Sequence, residues 1–292
     1  MTNAHLATSY VTNSVKPLPQ PAPDVINDIR ATKFDASKLF RLDGKVAVIT
    51  GSGRGLGRAI AECYASVGAT IILWDYDKPT EAASEISEKY GVNCVSVGCD
   101  VSNSKHVEET IEKISQQFNG KIDIFVANAG VAWQSGSILN SENLDDKNWH
   151  RVMNVDLNGV YYCCKNIGKV FKANNSGSLI ITASMSGSIV NVPNYQAPYN
   201  AAKSACIHLA KSLAVEFTEF NARVNSISPG YLDTGLSDFL PIEIRSRWWS
   251  LIPMGREAFP EEIASAYLYL ASNASTYTTG TNLVVDGGYS VV

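Results

Sequence analysis

The sequence predicts an α/β fold for residues 41–292, a doubly wound parallel sheet with helices on both faces. Three observations predict it. Short apolar runs alternate with stretches of helical period, with brief connections between them. A glycine-rich loop, Gly51-Ser-Gly-Arg-Gly-Leu-Gly, falls between the first run and the first helical stretch. The chain has 292 residues, 45% of them apolar, which suits one large core better than two small ones.

The elements follow in order from Leu42. Lys45-Val-Ala-Val-Ile-Thr reads as a strand, and the glycine loop opens a helix through about Val67. Ala69 to Trp74 is a second strand ending at Asp75, and Pro79 to Tyr90 is helical. Val92 to Val97 is a third strand ending near Asp100, followed by a helix from Ser104 to about Phe118. Ile122 to Ala127 is a fourth strand. One long helix is expected from about Asp146 to Phe171, then a fifth strand from Leu179 to Thr182. A helix carrying Tyr199, a sixth strand at Arg223 to Ile227, a helix from Glu261 to Leu270 and a last strand at Asn282 to Val285 complete the pattern.

Residues 1–40 differ in kind. No acid precedes Asp24, and Pro17, Pro19, Pro21 and Pro23 alternate, which favours an extended arm. The segment lacks the apolar core of a secretory signal and the arginines of a mitochondrial one. It is expected to be a tail, disordered or lying against a partner subunit.

A formal charge of −4 leaves no electrostatic footprint for nucleic acid or an anionic membrane. No apolar run approaches the roughly 20 residues that span a bilayer. Cys63, Cys94, Cys99, Cys163, Cys164 and Cys206 form no C-x-x-C, so free thiols in the cytoplasm are expected, and no metal site.

The chemistry begins with Tyr199 and Lys203, four residues apart in QAPYNAAKSACIHLAKSLAVEF. Ala202, Cys206, Leu209, Ala210 and Leu213 can form one apolar stripe there, and Pro198 is tolerated in a first helical turn. The pair shares a helix face, with Cβ atoms about 5–6 Å apart. An ammonium so close to a phenol is expected to lower its pKa and tune it for proton transfer. Ser184 ends the fifth strand, where a parallel sheet opens its crevice. In the glycine loop, Gly51 can take the angles of a tight turn, and Gly55 and Gly57 leave room for a pyrophosphate at a helix N-terminus.

Gly-x-x-x-Gly-x-Gly joined to a distant Tyr-x-x-x-Lys resembles the short-chain dehydrogenase/reductase family. Asn128-Ala-Gly, Ser184, Pro229-Gly230 with Thr234, and Asp286-Gly-Gly extend the resemblance over residues 42–292. Within the family, VDLNGVYYC, ITASMSGSIVNVP, RVNSISPGY and LYLASNASTYTTGTNLVVDGGY are similar to fungal sorbose reductases, mannitol dehydrogenases and yeast carbonyl reductases. The resemblance implies a Rossmann-like fold, a nicotinamide dinucleotide, a homotetramer or homodimer, and the interconversion of a secondary alcohol, a sugar alcohol above all, with its ketone. It implies that Tyr199 is the general acid and base, that Lys203 holds the ribose, and that Ser184 steadies the substrate oxygen. Gly51, Arg54, Gly55, Leu56, Gly57, Asp75, Asp100, Val101, Asn128, Ala129, Gly130, Pro229, Gly230 and Thr234 would meet the cofactor. At the fourth catalytic position, where the family has asparagine, this chain has Asp156. It either accepts from an ordered water or pairs with solvent or a cation.

Trp133, Ser186, Tyr195 and Tyr231 are expected around the substrate, with Asp238 to Met254 as a lid. For the cofactor, Asp75 ends the second strand, where an acid can accept both ribose hydroxyls, and NAD(H) is favoured; Arg54 favours NADP(H) as the alternative. A 3-ketoacyl thioester reductase and a cofactor-sensing binding protein without turnover are the competing readings. The first lacks a basic patch for an acidic carrier, and the second would suit a chain without Tyr199 or Lys203.

Overall fold

The computed structural model describes residues 35–234 and 242–292. All of the tail but its last six residues, and the first part of the expected lid, lie outside the described residues. Where description begins, Ala36–Leu39 forms a single helical turn, α1, started by the Asp35 carboxylate accepting from the Ser37 N–H at 3.1 Å. The boundary expected at residue 40 thus falls after a helical turn.

Seven strands form one parallel sheet: β1 (Val46–Thr50), β2 (Thr70–Asp75), β3 (Cys94–Gly98), β4 (Ile124–Ala127), β5 (Gly177–Thr182), β6 (Ala222–Pro229) and β7 (Asn282–Val285). Their spatial order is β3-β2-β1-β4-β5-β6-β7. The helices between them are α2 (Gly55–Ser66), α3 (Thr80–Tyr90), α4 (Ser104–Gln117), α5 (Lys147–Met153), α6 (Val160–Asn174), α7 (Ala197–Phe217), α8 (Ile242–Leu251) and α9 (Pro260–Ala271).

Strand alternation divides the apolar residues between two cores. Val48, Ile72, Trp74, Leu179 and Ile181 face one side, against Ile111 of α4, Ile167 and Phe171 of α6, and Cys206 and Ala210 of α7. Ala47, Ile49, Ile71, Leu73 and Ile180 face the other, against Ile60 and Tyr64 of α2, Ile86 of α3, and Tyr267 and Leu270 of α9. Both faces are covered, which is why the central strands read as unbroken apolar runs instead of alternating ones. Each buried Leu, Ile or Val adds about 1.5–3 kcal/mol.

One expectation is corrected and another gains a described structure. The helix predicted to run unbroken from Asp146 to Phe171 is two helices joined by a wider π-helical turn, Asn154–Gly159. Gly159 lets this turn press on the loop after β3: a Cβ there would stand 3.0 Å from Val101 Cγ2. The wide turn also presents the Asp156 carbonyl to the Cys206 thiol, which donates to it at 3.1 Å. Second, part of the expected lid is a helix, α8. Its Trp248 is buried and stacks on Tyr231 with ring centroids 4.9 Å apart.

The strand order reverses between β1 and β4. In an open parallel sheet that is where the strand ends part and leave a crevice. Gly51 and Asn128 stand at the lips of this one, one after each strand.

Candidate active site

A cleft of about 480 Å³ opens at the switch point. Its lining includes Gly51, Arg54, Gly55, Leu56, Gly57 and Asp75 on one side, and Asn128, Ala129, Gly130, Trp133, Asp156, Ser184, Ser186, Tyr199, Lys203, Gly230, Tyr231 and Thr234 on the other. The sheet brings these residues together from the C-terminal ends of five strands and the segments that follow them.

Four expected residues are not among its lining. Asp100 turns back on its own loop, accepting from the Ser102 N–H at 2.9 Å. Val101 is packed under Gly159 in the core. Pro229 is buried as the last residue of β6. Tyr195 is exposed and lines a second cavity of about 380 Å³.

The glycine loop is held tight by backbone contacts. Gly51 has φ 64° and Gly55 φ 56°, both in the left-handed region that glycine tolerates. A Cβ on Gly57 would run into the Gly51 carbonyl oxygen. Asn128 keeps the lips in register: its Nδ2 donates to Thr50 O at 2.9 Å and Gly51 O at 3.1 Å, and its Oδ1 accepts from Thr182 at 3.2 Å. The first turn of α2 has no side-chain cap, so its N–H groups and positive dipole face the cleft. That cradle suits a pyrophosphate, and Asp75 and Tyr199 line the same cleft as the cradle.

At the other end, β5 delivers Ser184 in extended backbone, with its Oγ accepting from the Ser186 N–H at 3.1 Å. The first turn of α7 delivers Tyr199 and, one turn on, Lys203. Lys203 is buried, with its Nζ 5.5 Å from the Tyr199 ring centroid and donating to Thr182 O at 3.1 Å. Its second partner is Asp156, with Nζ and Oδ1 3.2 Å apart and side-chain exposures of 3% and 0%. The other carboxylate oxygen accepts from the Val131 N–H at 3.0 Å. Of the two roles open to Asp156, the geometry is pairing with a cation, and the cation is Lys203.

This pair changes the electrostatics expected of Tyr199. Burial raises the phenol above its ordinary value; Lys203 opposes that rise, Asp156 adds to it, and Ser184 lowers it. Lys203 therefore acts as an ammonium already partly neutralised. The phenol is not drawn toward neutral pH as the isolated Tyr-x-x-x-Lys spacing suggests. Burial likewise raises the Asp156 carboxyl above the usual range despite Lys203, while Lys203 itself is held above its ordinary value by Asp156 against its own burial.

The sequence reading missed Asn191 and Gln196, both in the lining. Gln196 stands three residues before Tyr199, a helix-face spacing that could have flagged it. Asn191 carried no such signal, because the loop that buries it has no period.

A crevice at the switch point, with a helix N-terminus at one end and a phenol, a hydroxyl and a buried ammonium at the other, defines a dinucleotide-dependent oxidoreductase. A family model described as Enoyl-(Acyl carrier protein) reductase matches residues 51–290. The sorbose reductase of Candida albicans is 52% identical over 97% of this chain and 97% of its own length. The NADP-dependent mannitol dehydrogenase of Alternaria alternata is 46% identical over 87% of this chain and 95% of its own. The crystal structure of the NADPH-dependent 3-quinuclidinone reductase from Rhodotorula rubra superposes with a TM-score of 0.83 at 37% identity, covering 96% of this chain and 99% of that one. The chain belongs to the short-chain dehydrogenase/reductase family.

The expectation of NAD(H) from Asp75 is corrected. The mannitol dehydrogenase and the quinuclidinone reductase are named as NADP- and NADPH-dependent. The structure supplies a physical reason. Both Asp75 oxygens are engaged by backbone: Oδ2 accepts from the Gly53 N–H at 2.8 Å and Oδ1 from the Tyr76 N–H at 2.7 Å. The acid holds the loop in place of waiting for a ribose. Arg54, by contrast, is exposed on the cleft and has no ion-pair partner among the described residues.

Proposed function

We propose that the protein is an NADP(H)-dependent reductase of ketoses, running in reverse as a polyol dehydrogenase. The observation that carries this reading is one cleft lined by both the glycine cradle and the Ser184, Tyr199 and Lys203 side chains. The substrate class follows from relatives named for sorbose and mannitol.

Gly51, Gly55, Leu56 and Gly57 would hold the pyrophosphate, Arg54 the 2′-phosphate, and Asn128, Ala129, Gly130, Gly230 and Thr234 the remainder of the dinucleotide. A dinucleotide held there would supply the hydride for reduction and accept it in oxidation. Tyr199 gives its phenolic proton to the carbonyl oxygen in reduction and takes it back from the alcohol in oxidation. Ser184 donates a hydrogen bond to the same oxygen as charge grows there. Lys203 donates to Thr182 O and forms an ion pair with Asp156, and its remaining donor capacity would meet a cofactor hydroxyl. Asp156 fixes the direction of that ammonium. Trp133 and Tyr231 line the substrate end.

The catalytic unit is residues 41–292, which hold every residue of the cleft. All six cysteines are free, which suits a reducing cytoplasm. No helix among the described residues is long and apolar enough to cross a membrane. Tyr161 of α6 and Val215 of α7 are 48% and 77% exposed, apolar surface that suits a homodimer or homotetramer.

The test is nicotinamide absorbance with purified protein, screening ketoses and polyols with each cofactor. NADPH oxidation with a ketohexose, at a kcat/KM at least tenfold above that with NADH, is expected. Equal rates, or turnover of acyl thioesters alone, would overturn the reading.

A further inference from the structure

Gln196 is the residue immediately before α7, but its side chain does not cap the helix. It turns into the wall between the catalytic cleft and the second cavity, and it lines both. Its Nε2 is surrounded by three oxygens: Asn191 Oδ1 at 2.7 Å, Ser186 Oγ at 3.1 Å and Asn200 Oδ1 at 3.2 Å. An amide with three acceptors on one side has its nitrogen fixed there. Its oxygen is thereby turned the other way, and no described residue donates to it. The anchors are themselves anchored. Asn191 is 2% exposed, and its Nδ2 donates to the Tyr231 hydroxyl at 3.4 Å; Ser186 is 4% exposed.

Gln196 stands one residue before α7 and Tyr199 in its first turn, and both side chains line the catalytic cleft. A substrate whose carbonyl oxygen meets the phenol therefore brings its neighbouring carbons to the amide. A hydroxyl on those carbons can donate to the glutamine oxygen. An alkyl group cannot, and it would cover an acceptor that then loses its water.

We propose that Gln196 determines specificity for polyhydroxylated ketones: its amide oxygen accepts from a hydroxyl beside the reacting carbonyl, and Ser186, Asn191 and Asn200 hold it in that orientation. This rests on the ketose reading above. It assigns Gln196 a contact with the substrate and no share in proton transfer.

The experiment compares kcat/KM for l-sorbose with that for 2-hexanone, in the wild type and in Gln196→Leu and Gln196→Met. NADPH affinity by fluorescence and the melting temperature report on folding. The wild type is expected to favour l-sorbose, and each variant to lower the ratio of the two kcat/KM values at least tenfold, mainly through KM for the sugar. Loss of both activities in equal proportion would make Gln196 a scaffold residue and overturn the proposal. So would a wild type that reduces both ketones and favours 2-hexanone, even if neither variant folds. A wild type that reduces no ketose at all with NADPH overturns the underlying function instead, and the proposal with it.

Discussion

Tyr199 and Asp156 are the residues on which the proposed chemistry turns, and they make separable predictions. Tyr199→Phe keeps the ring and removes the proton. Turnover is expected to fall about 10²–10⁴-fold, with NADPH affinity unchanged in a fluorescence titration; a variant retaining a tenth of the wild-type kcat would take the proton away from Tyr199. Asp156→Asn removes a charge that raises the Tyr199 phenol. The phenol of the variant therefore titrates lower. Reduction needs the protonated phenol, so its alkaline limb should move to lower pH, by about one unit if the lost interaction is worth roughly 1.4 kcal/mol. The acid limb of alcohol oxidation should move the same way. Activity survives, but the buried Lys203 ammonium loses its counter-charge, and deleting one member of such a pair costs about 3–5 kcal/mol. A pH profile and a melting curve on one preparation check both halves. A profile that stays put would show that Asp156 does not act on the phenol.

The glycine loop and the π-helical turn show what was and was not legible before the structure. The loop was readable because its requirements are local: a strand before it, a helix after it, and glycines where the backbone crowds itself. Gly57→Ala is expected to push the Gly51 carbonyl aside and weaken NADPH binding at least tenfold, since backbone cannot yield there as a side chain could. Calorimetric titration giving wild-type affinity would show the crowding to be relieved. Every strand was placed to within a few residues for the same local reason. The π turn was not, because nothing in Asn154-Val-Asp-Leu-Asn-Gly departs from helical period. Gly159 sets the turn close against Val101 of the loop after β3, a contact between residues distant in sequence. Asp156 could be singled out by position, yet its partner could not be chosen until α7 was docked against the turn. Asp75 misled in the same manner. A strand-end acid has the look of a ribose acceptor, and only the folded loop reveals the Gly53 and Tyr76 amides already occupying it.

At the scale of the molecule, the surface of α6 and α7 predicts self-association. Light scattering should return the mass of a dimer or tetramer, and Val215→Asp, far from the cleft, should shift it toward the monomer; a monomeric wild type at micromolar concentration would contradict this. The strand order has a consequence for how the polypeptide is made. β1, β2 and β3 are synthesised first and build outward in one direction. The opposite edge of β1 pairs only with β4, through Ala47–Ile124 and its neighbours. Until the ribosome has delivered that strand, the centre of the future sheet is an unprotected border, with free amides and carbonyls and the apolar Val46-Ala-Val-Ile stretch open to any passing strand. The nascent chain is thus most prone to aggregate midway through translation, and its hazard lies in the strand that ends up best hidden. Arrested chains ending before Ile124 should bind a trigger-type chaperone through β1, and chains extending past α4 and β4 should release it.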